Sequence, residues 1–410
     1  MNIAFLRDGP VMRNLWGNLA IQLGDMGHET YILDIKSSIN HTLLDPYIDS
    51  IIEIDESSAS NLSPKTTHEA NIIDFNNRHR NMPMSEIRGK AYGINKAFEN
   101  YDIDIVIMWN ELEIGKIIAD RHKIQTYHLE NGYFPNTLQI DSCGVNRNSS
   151  TANLSYKEIV HYDRGSDFSY DPVVPLVDIS DPSWTDYLKA SKKKTRSDGI
   201  RSFSRQVKIR LTPESNQIYT TGVDVINSIP NRYVFIPLQV HDDTQVLYNS
   251  EYVNDMYSFL DIVYTSIKQT DPDISIIVKE HPADVGRIDY TQLRHRYPDI
   301  VWLREYPIQE LIRNAEAVVT LNSSVGLQAI TEYTPVTTVG HSMYDMHPYV
   351  YSSNVSDDIS QKISDALSAE INPDIVDPFI QSFKNNIFVD WNNNNLQKET
   401  IKKLINIILD

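Results

Sequence analysis

Short apolar runs that end in polar clusters constrain the fold of this chain more than any other feature. Residues 233–238, 274–279 and 317–321 are each long enough for one buried strand, and they are rich in Ile and Val. A segment with helical periodicity separates each run from the next. Strands that alternate with helices form parallel sheets, whose carboxyl ends meet at one edge. We therefore expect an α/β half with a polar site at that edge.

The N-terminal part of the chain shows the same alternation. Residues 3–6 form an apolar run, Leu15, Leu19 and Leu23 recur at helical spacing, and residues 30–35 form the next run. Strand, helix and strand with tight connections make a βαβ unit, in which the two strands are parallel. Two further strands are predicted in this half, at residues 103–108 and 124–129.

These patterns predict an α/β fold of two Rossmann-like domains that face each other across a cleft. A chain of 410 residues is more often two domains than one. We place the domains at residues 1–215 and 216–390, followed by a C-terminal helix at 391–410. Regular patterns fade between about residues 136 and 213, so we expect long loops and the interdomain connection there.

The composition limits which binding partners and which cellular compartments are compatible with this chain. The single cysteine, Cys143, excludes an intrachain disulfide framework, and the formal net charge of -18 argues against nucleic acid as a partner. Residues 189–210 are positively charged although the whole chain is negative: they contain nine Lys or Arg and one acid, a net charge of +8. This segment is either a solvated linker or a surface for an anionic membrane or substrate. The chain lacks the pattern of a signal peptide and any apolar run long enough to span a bilayer.

The first polar cluster follows the run at 233–238 and contains Gln239, Asp243 and Gln245. A carboxylate held by two neutral amides would keep its charge, which suits a nucleophile or a base. The alternative interpretation is a capped turn after a strand. The cluster by itself favours neither interpretation.

The second and third clusters could hold an anion. Lys279, His281 and Pro282 follow the run at 274–279, and a histidine there can donate to a phosphate or carry a proton. Asn322, Ser323, Ser324 and Gly326 follow the run at 317–321, where free N–H groups of a helix start would favour a phosphate. The alternatives are a structural histidine and an ordinary serine N-cap.

A fourth cluster begins with Glu130, at the end of the predicted strand 124–129, and continues through residues 141–146. Glu130 is a candidate acid/base residue, although a simple turn explains the same residues. Carboxylate pairs at 102–104 and 271–273 precede strands, so we interpret them as turn residues and expect no metal. The chain has neither a Walker A loop nor a dinucleotide-binding glycine pattern.

The four clusters in this order resemble the capsule polysaccharide synthesis family of bacterial β-Kdo glycosyltransferases, where Kdo is 3-deoxy-D-manno-oct-2-ulosonic acid. The resemblance rests on Gln239-x-x-x-Asp243-x-Gln245, His281-Pro282, the motif of residues 322–329 and Glu130-Asn-Gly-Tyr. It spans roughly residues 124–340. One departure is Gln328, where the family pattern has Glu.

The resemblance implies a variant of the two-domain GT-B architecture, with an acceptor-side N-terminal domain and a nucleotide-sugar-binding C-terminal domain. It implies CMP-β-Kdo as donor, a bacterial surface glycan or lipid-linked glycan as acceptor, and transfer with retention to give a β-linkage. No cofactor is implied beyond the donor substrate. The protein would be cytoplasmic, or peripheral on the inner membrane through residues 189–210.

The resemblance also implies a role for each matching residue. Asp243 would be the nucleophile, His281 would lie near the donor phosphate, and Glu130 would act as acid/base on the acceptor side. The implied donor-binding residues are Gln239, Gln245, Lys279, Pro282, Asn322, Ser323, Ser324 and Gly326. Two alternatives stay open: another CMP-ulosonic acid or a UDP- or GDP-sugar as donor, and a non-catalytic module that binds a glycan or a lipid carrier.

Overall fold

The structure is a computed structural model, and it shows two compact α/β units. It describes residues 1–7, 13–34, 50–53, 62–164, 175–176, 229–250, 253, 255–285, 287–353, 358–392 and 396–409. Unit 1 contains the described residues of Met1–Ser150, Asp163–Arg196 and Lys384–Asp410, and unit 2 contains those of Thr151–Tyr162 and Ser197–Phe383.

The sheet of unit 1 has, within the described residues, seven strands in the order β13-β6-β5-β4-β1-β2-β3. The five strands β1 to β5 are parallel, whereas β6 is antiparallel to β5 and β13 is antiparallel to β6. The strands are β1 (Asn2–Arg7), β2 (Glu29–Asp34), β3 (Ser50–Glu53), β4 (Ile105–Met108), β5 (Gln125–Asn131), β6 (Thr137–Asp141) and β13 (Phe388–Asp390). The helices of this unit are α1 (Arg13–Asp25), α2 (Thr67–Asp74), α3 (Met84–Tyr101), α4 (Ile114–His122) and α13 (Lys398–Leu409).

The sheet of unit 2 has six described strands, all parallel, in the order β12-β11-β10-β7-β8-β9. The strands are β7 (Tyr233–Pro237), β8 (Ser275–Lys279), β9 (Val301–Leu303), β10 (Ala317–Thr320), β11 (Val336–Thr338) and β12 (Val350–Ser352). The helices are α5 (Tyr156–Val160), α6 (Thr244–Leu247), α7 (Met256–Thr270), α8 (Thr291–Arg296), α9 (Ile308–Arg313), α10 (Ser324–Thr331), α11 (Ile359–Leu367) and α12 (Pro373–Ser382).

The central strands are apolar because both faces of each sheet are covered. All residues of β4, β7 and β10 are buried, and α7 packs Phe259, Leu260 and Val263 into the core of unit 2. Asp255 caps the start of α7 by accepting a hydrogen bond from the Ser258 N–H. The two predicted Rossmann-like folds are confirmed. The predicted cleft between them stays a prediction.

The C-terminal helix has an apolar face, which is part of a larger core. Ile401, Leu404, Ile405 and Ile408 of α13 are buried in the same cluster as Leu15 of α1. Neither unit is continuous in sequence: residues 151–162 pack with unit 2, and 384–390 pack with unit 1. Tyr156 contributes to the packing of residues 151–162 with unit 2, because its ring stacks on that of Phe379 at a centroid distance of 5.9 Å.

The predicted loss of regular structure after residue 136 is wrong for the first part of that region. Residues 137–141 form β6, which completes a hairpin with β5, and a helix follows at α5. The periodicity of 137–141 was missed because all five residues are buried whether polar or apolar. The basic segment 189–210 lies outside the described residues. No helix of the described part is long and apolar enough to cross a membrane.

Candidate active site

Three of the four polar clusters lie on the same edge of unit 2. They follow β7, β8 and β10, which are adjacent in the sheet order β10-β7-β8. The strands are parallel, so their carboxyl ends face the same way and deliver the three loops to one edge. The structure therefore brings together the residues that the sequence assigned to the donor side.

Asp243 lies at the end of a tight turn after β7. The turn is closed by a hydrogen bond from the Asp243 N–H to the Val240 carbonyl, 3.1 Å long, and Asp243 then caps α6. Its Oδ1 accepts a hydrogen bond from the Gln245 N–H at 2.9 Å and a longer one from the Thr244 hydroxyl at 3.4 Å. Within the described residues its Oδ2 has no hydrogen-bond partner. One oxygen is anchored and the other is available for chemistry.

Burial raises the pKa of the Asp243 carboxyl, and the hydrogen bond from the Gln245 N–H and the charge of His281 oppose that rise. A carboxylate with a raised pKa is a stronger base than a solvated one. The electrostatic effect of His281 on Asp243 also shows that the loops after β7 and β8 place these two side chains within interaction range.

The prediction that two side-chain amides hold Asp243 is wrong. Gln239 is buried, and its amide donates to the Asn322 side chain at 2.9 Å and accepts from the Asn322 N–H at 3.1 Å. Asn322 donates in turn to the Gln245 carbonyl at 2.8 Å. These amides join the loops after β7 and β10 instead of contacting the acid. The Gln245 side chain accepts from Asn249 at 3.1 Å.

His281 caps the short 3-10 turn Pro282–Asp284 through its ring. Its Nδ1 accepts a hydrogen bond from the Ala283 N–H at 3.1 Å. Nδ1 therefore carries no proton, and the neutral ring has its N–H at Nε2. Burial lowers the pKa of His281, which favours this neutral form. His281 is thus a hydrogen-bond donor at Nε2, while Pro282 is exposed at the start of the turn.

Lys279 is the last residue of β8, two residues before His281, and it is half-buried. Burial lowers the pKa of its ammonium group. The described residues provide no hydrogen bond or ion pair to its Nζ, whereas the neighbouring Arg294 and Arg304 are paired with the buried Glu280. A half-buried ammonium without a partner favours the approach of an anion.

The loop after β10 places a helix start at the same edge. Ser323 is the N-cap of α10, and its hydroxyl accepts a hydrogen bond from the Val325 N–H at 3.2 Å. Ser323 and Ser324 are half-buried at this positive end of the helix. Gly326 serves packing, because a Cβ there would lie 2.1 Å from the hydroxyl oxygen of the buried Tyr344.

One group of described residues has ligand atoms close enough for a metal ion: His241, Asp242 and Asp284, with atoms within 4.8 Å of one another. Arg287 lies among them and forms ion pairs with both Asp242 and Asp284. The guanidinium supplies the positive charge that a metal ion would bring. We therefore interpret the group as an ion-pair network that joins the loops after β7 and β8.

Glu130 lies at the end of β5 in unit 1. Its Oε1 accepts a hydrogen bond from the Asn131 N–H at 2.9 Å, and the side chain is half-buried. The chain turns back directly into β6, and Gly132 makes this turn possible because a Cβ there would lie 2.1 Å from the Thr137 hydroxyl. The residues after Glu130 thus close a hairpin, and the acid/base role of Glu130 stays a prediction.

The sequence analysis missed a second buried carboxylate, Glu111, which follows β4. Its Oε2 accepts from the Val145 N–H at 3.0 Å and its Oε1 accepts from the Asn148 amide at 2.8 Å. Burial raises the pKa of Glu111. The signal was its position after the buried strand predicted at residues 103–108; the following helix begins only at Ile114.

Comparison with known families identifies the segment that carries the three clusters. Residues 216–365 match the family model described as "Capsule polysaccharide biosynthesis protein". This segment is therefore similar to that family, and the match covers 150 of the 410 residues. The resemblance that the motifs indicated is thereby confirmed at the level of the family. Asp243, His281 and Ser323 lie inside the matched segment, and Glu130 lies outside it.

Curated relatives carry names from capsule biology and beyond. "Protein FixF" of Sinorhizobium fredii is 29% identical over 265 residues, which cover 64% of this chain and 55% of that protein. "Capsule polysaccharide export protein KpsS" of Escherichia coli is 29% identical over 139 residues, 32% of this chain and 36% of that protein. The chain thus spans about half of the length of the first relative and about a third of the second.

Solved structures resemble the chain only loosely. A "beta Kdo 2,4 transferase" from KpsC of Thermosulfurimonas dismutans aligns with a TM-score of 0.43 and 15% identity, covering 74% of this chain and 87% of that one. A UDP-GlcNAc 2-epimerase of Methanocaldococcus jannaschii aligns with a TM-score of 0.36 and 12% identity, covering 100% and 99%. The capsule family assignment therefore rests on the sequence match.

Proposed function

We propose that this chain is a retaining glycosyltransferase that moves Kdo from CMP-β-Kdo to a bacterial surface glycan or glycolipid, with a β-linkage. One observation carries the proposal: Asp243, in the capsule family segment, presents an unpartnered carboxylate oxygen at the edge shared with His281 and Ser323. Displacement of a nucleotide requires a nucleophile, hydrogen-bond donors to the departing phosphate, and positive charge such as that of a helix start.

In the first step, the Asp243 Oδ2 attacks the anomeric carbon of the donor. A carbon–oxygen bond forms to the carboxylate while the bond between the sugar and the phosphate oxygen breaks, and CMP leaves with the electron pair. The Gln245 N–H on Oδ1 fixes the carboxylate so that the other oxygen can point at the sugar. Retention requires a second displacement, in which the acceptor hydroxyl replaces Asp243.

The leaving group of this step departs as a phosphate monoester dianion, beside a sugar that carries its own carboxylate. The His281 Nε2–H, the Lys279 ammonium and the start of α10 at Ser323 and Ser324 supply donors and positive charge. Gln239 and Asn322 would act by holding the loops in place. In this proposal Gln245 contributes its backbone, Pro282 shapes the turn, and no metal is required.

Acceptor recognition is assigned to the N-terminal half, with Glu130 as its candidate acid/base. We propose that residues 189–210 dock on the anionic cytoplasmic face of the inner membrane, where lipid-linked acceptors would be reached. Their net charge of +8 supports this location. Sedimentation with anionic and neutral vesicles at low and high salt tests it: we expect binding to anionic vesicles only, lost as salt rises.

Thermal unfolding with CMP, CDP, UDP, GDP and ATP, with and without magnesium, tests the donor class. A ligand at 100 times its Kd stabilises the folded state by about 2.7 kcal/mol, a shift of several degrees. We expect CMP alone to shift the transition, independently of magnesium. A shift with UDP or GDP would move the proposal to another donor, and no shift with any nucleotide would favour a non-catalytic binding module.

A further inference from the structure

Two histidines flank the candidate nucleophile, and the structure gives them opposite proton positions. His281 follows β8 and His241 occupies the turn between β7 and Asp243. We infer that His241 is the general base that takes the proton of the acceptor hydroxyl in the second displacement, and that Asp284 is the positioning residue that orients it. The inference rests on the proposed transferase function and assigns a role to His241, which occupies an unspecified position of the motif Gln239-x-x-x-Asp243-x-Gln245.

Asp284 holds both the ring and the backbone of His241. The His241 Nδ1 lies 2.8 Å from one carboxylate oxygen of Asp284, and the His241 N–H donates to the other oxygen at 2.8 Å. Asp284 is buried, with 2% of its surface exposed. A carboxylate oxygen only accepts, so the proton of the neutral ring lies on Nδ1 and the lone pair lies on Nε2.

His281 shows the reverse arrangement on the adjacent strand. Its Nδ1 accepts from a backbone N–H, so its Nε2 carries the proton. One histidine at this edge is thus built as a donor and the other as an acceptor. A double displacement needs both: a donor for the departing phosphate and a base for the incoming hydroxyl.

The His241 ring lies among three charged side chains. It faces Asp242, Asp284 and Arg287, and Arg287 is paired with both carboxylates. The Arg287 Nη2 lies 3.4 Å from the His241 Nε2, a long contact that leaves the lone pair weakly engaged.

The second displacement moves the sugar from Asp243 to the acceptor. The acceptor oxygen forms a bond to the anomeric carbon, and the bond from that carbon to the Asp243 oxygen breaks, which returns the electron pair to the carboxylate. The hydroxyl proton passes to the His241 Nε2. Asp284 stabilises the resulting imidazolium, which then loses its proton to water. About one third of the His241 side chain is exposed, so the acceptor and water can reach it.

The test separates the two displacements by rapid quench with CMP-β-Kdo and a glycan acceptor. In His241→Ala we expect a stoichiometric burst of CMP at the normal rate, and transfer to the acceptor slowed by about 100- to 10,000-fold. A Kdo adduct should accumulate on the peptide that contains Asp243, as seen by mass spectrometry. Added imidazole should restore part of the transfer. The control is His295→Ala, an exposed histidine on α8, which should behave as wild type.

Asp284→Asn tests the positioning role. We expect slower transfer with the CMP burst retained, and no further loss when it is combined with His241→Ala, because both variants disable one unit. Additive losses would show that Asp284 acts independently of His241.

The remaining outcomes distinguish the inference from the proposed function. Near-normal transfer by His241→Ala, or equal loss of burst and transfer, would overturn the inference and leave the transferase intact. If Glu130→Gln keeps the CMP burst and slows transfer, whereas His241→Ala does not, then Glu130 is the base. If the wild-type chain releases no CMP from CMP-β-Kdo, the proposed function itself fails.

Discussion

Each unit has a carboxylate in the loop after a central strand: Glu111 in unit 1 is buried, and Asp243 in unit 2 is half-buried. Burial raises the pKa of both groups. They differ in their hydrogen bonds: Glu111 uses both oxygens to hold the loop around Val145, whereas Asp243 uses only Oδ1. A raised pKa therefore does not distinguish a reactive carboxylate from a structural one. A carboxylate oxygen without a hydrogen-bond partner does distinguish the two.

The sheets explain where such a group can arise. In unit 2 all six described strands are parallel, so the described strands send their carboxyl ends to one edge. In unit 1 the chain leaves β5 through a hairpin into the antiparallel β6, which brings Glu130 next to a closed turn. The difference predicts that substitution of Asp243 affects chemistry, whereas the matched substitution of Glu111 affects local structure.

Asp243→Asn should give the largest effect on activity. Loss of a nucleophile should reduce transfer by at least about 1,000-fold. Stability should be equal or higher, because Asn caps helices as well as Asp and avoids the cost of ionising a buried group. CMP binding should persist. Transfer assays and thermal unfolding measure these effects.

The matched control is Asp255→Asn, which replaces another N-cap aspartate of unit 2 and should leave transfer unchanged. Near-normal turnover in Asp243→Asn would show that the unpartnered oxygen is not the nucleophile.

Acidification should destabilise both units through one buried histidine each. The pKa values of His128 in unit 1 and His347 in unit 2 are lowered to about 3 by burial. The folded pKa lies below the unfolded value of 6.5, so the stability is fully present above pH 6.5 and is lost as pH falls towards 3. At pH 4 the loss is on the order of 3 kcal/mol per histidine.

Hydrogen exchange resolved by peptide, at pH values from 7 to 4, assigns this loss to each unit. His347→Asn keeps an acceptor for the Tyr349 N–H and should remove the acid sensitivity of unit 2 alone. His295→Asn, an exposed control, should change nothing. Unaltered acid sensitivity in His347→Asn would contradict the assignment.

Gly326→Ala should cost about 1–3 kcal/mol of stability, because the new Cβ would overlap the Tyr344 hydroxyl. Urea unfolding measures the loss. Adding Tyr344→Phe removes the overlapping oxygen and should recover part of it. Weaker CMP binding with unchanged stability would instead mean that Gly326 contacts the donor, as the family resemblance implied.

Glu111→Gln should give the smallest effect, within about 1 kcal/mol in stability. The amide retains one acceptor for the Val145 loop, and the substitution removes the cost of ionising a buried carboxyl. The folded pKa of Glu111 is raised, so that cost grows as pH rises through it. Glu111→Gln should release CMP at the wild-type rate. If Glu111→Gln released no CMP, Glu111 would take part in the first displacement, and the distinction between a structural Glu111 and a reactive Asp243 would be wrong.

Much of the fold and part of the site followed from the sequence. The run at 233–238 predicted β7 and placed Asp243 after it, because a buried parallel strand is apolar throughout and its loop is polar. The C-terminal helix was predicted as well. The partner of that helix was not, since periodicity shows that a face is buried and does not show against what. Because periodicity does not identify the packing partner, residues 384–410 were not assigned to unit 1 from the sequence.

The sequence by itself determined the alternation of strands and helices, the position of three polar clusters after three buried strands, and the family motifs. Tertiary structure alone decided which nitrogen of each histidine carries a proton and which oxygen of Asp243 is free. The reason is that hydrogen-bond partners come from elsewhere in the chain: Asp284 lies 43 residues from His241 and Asn322 lies 83 from Gln239. Local patterns report burial and conformation, and the chemistry of a site depends on contacts between distant segments.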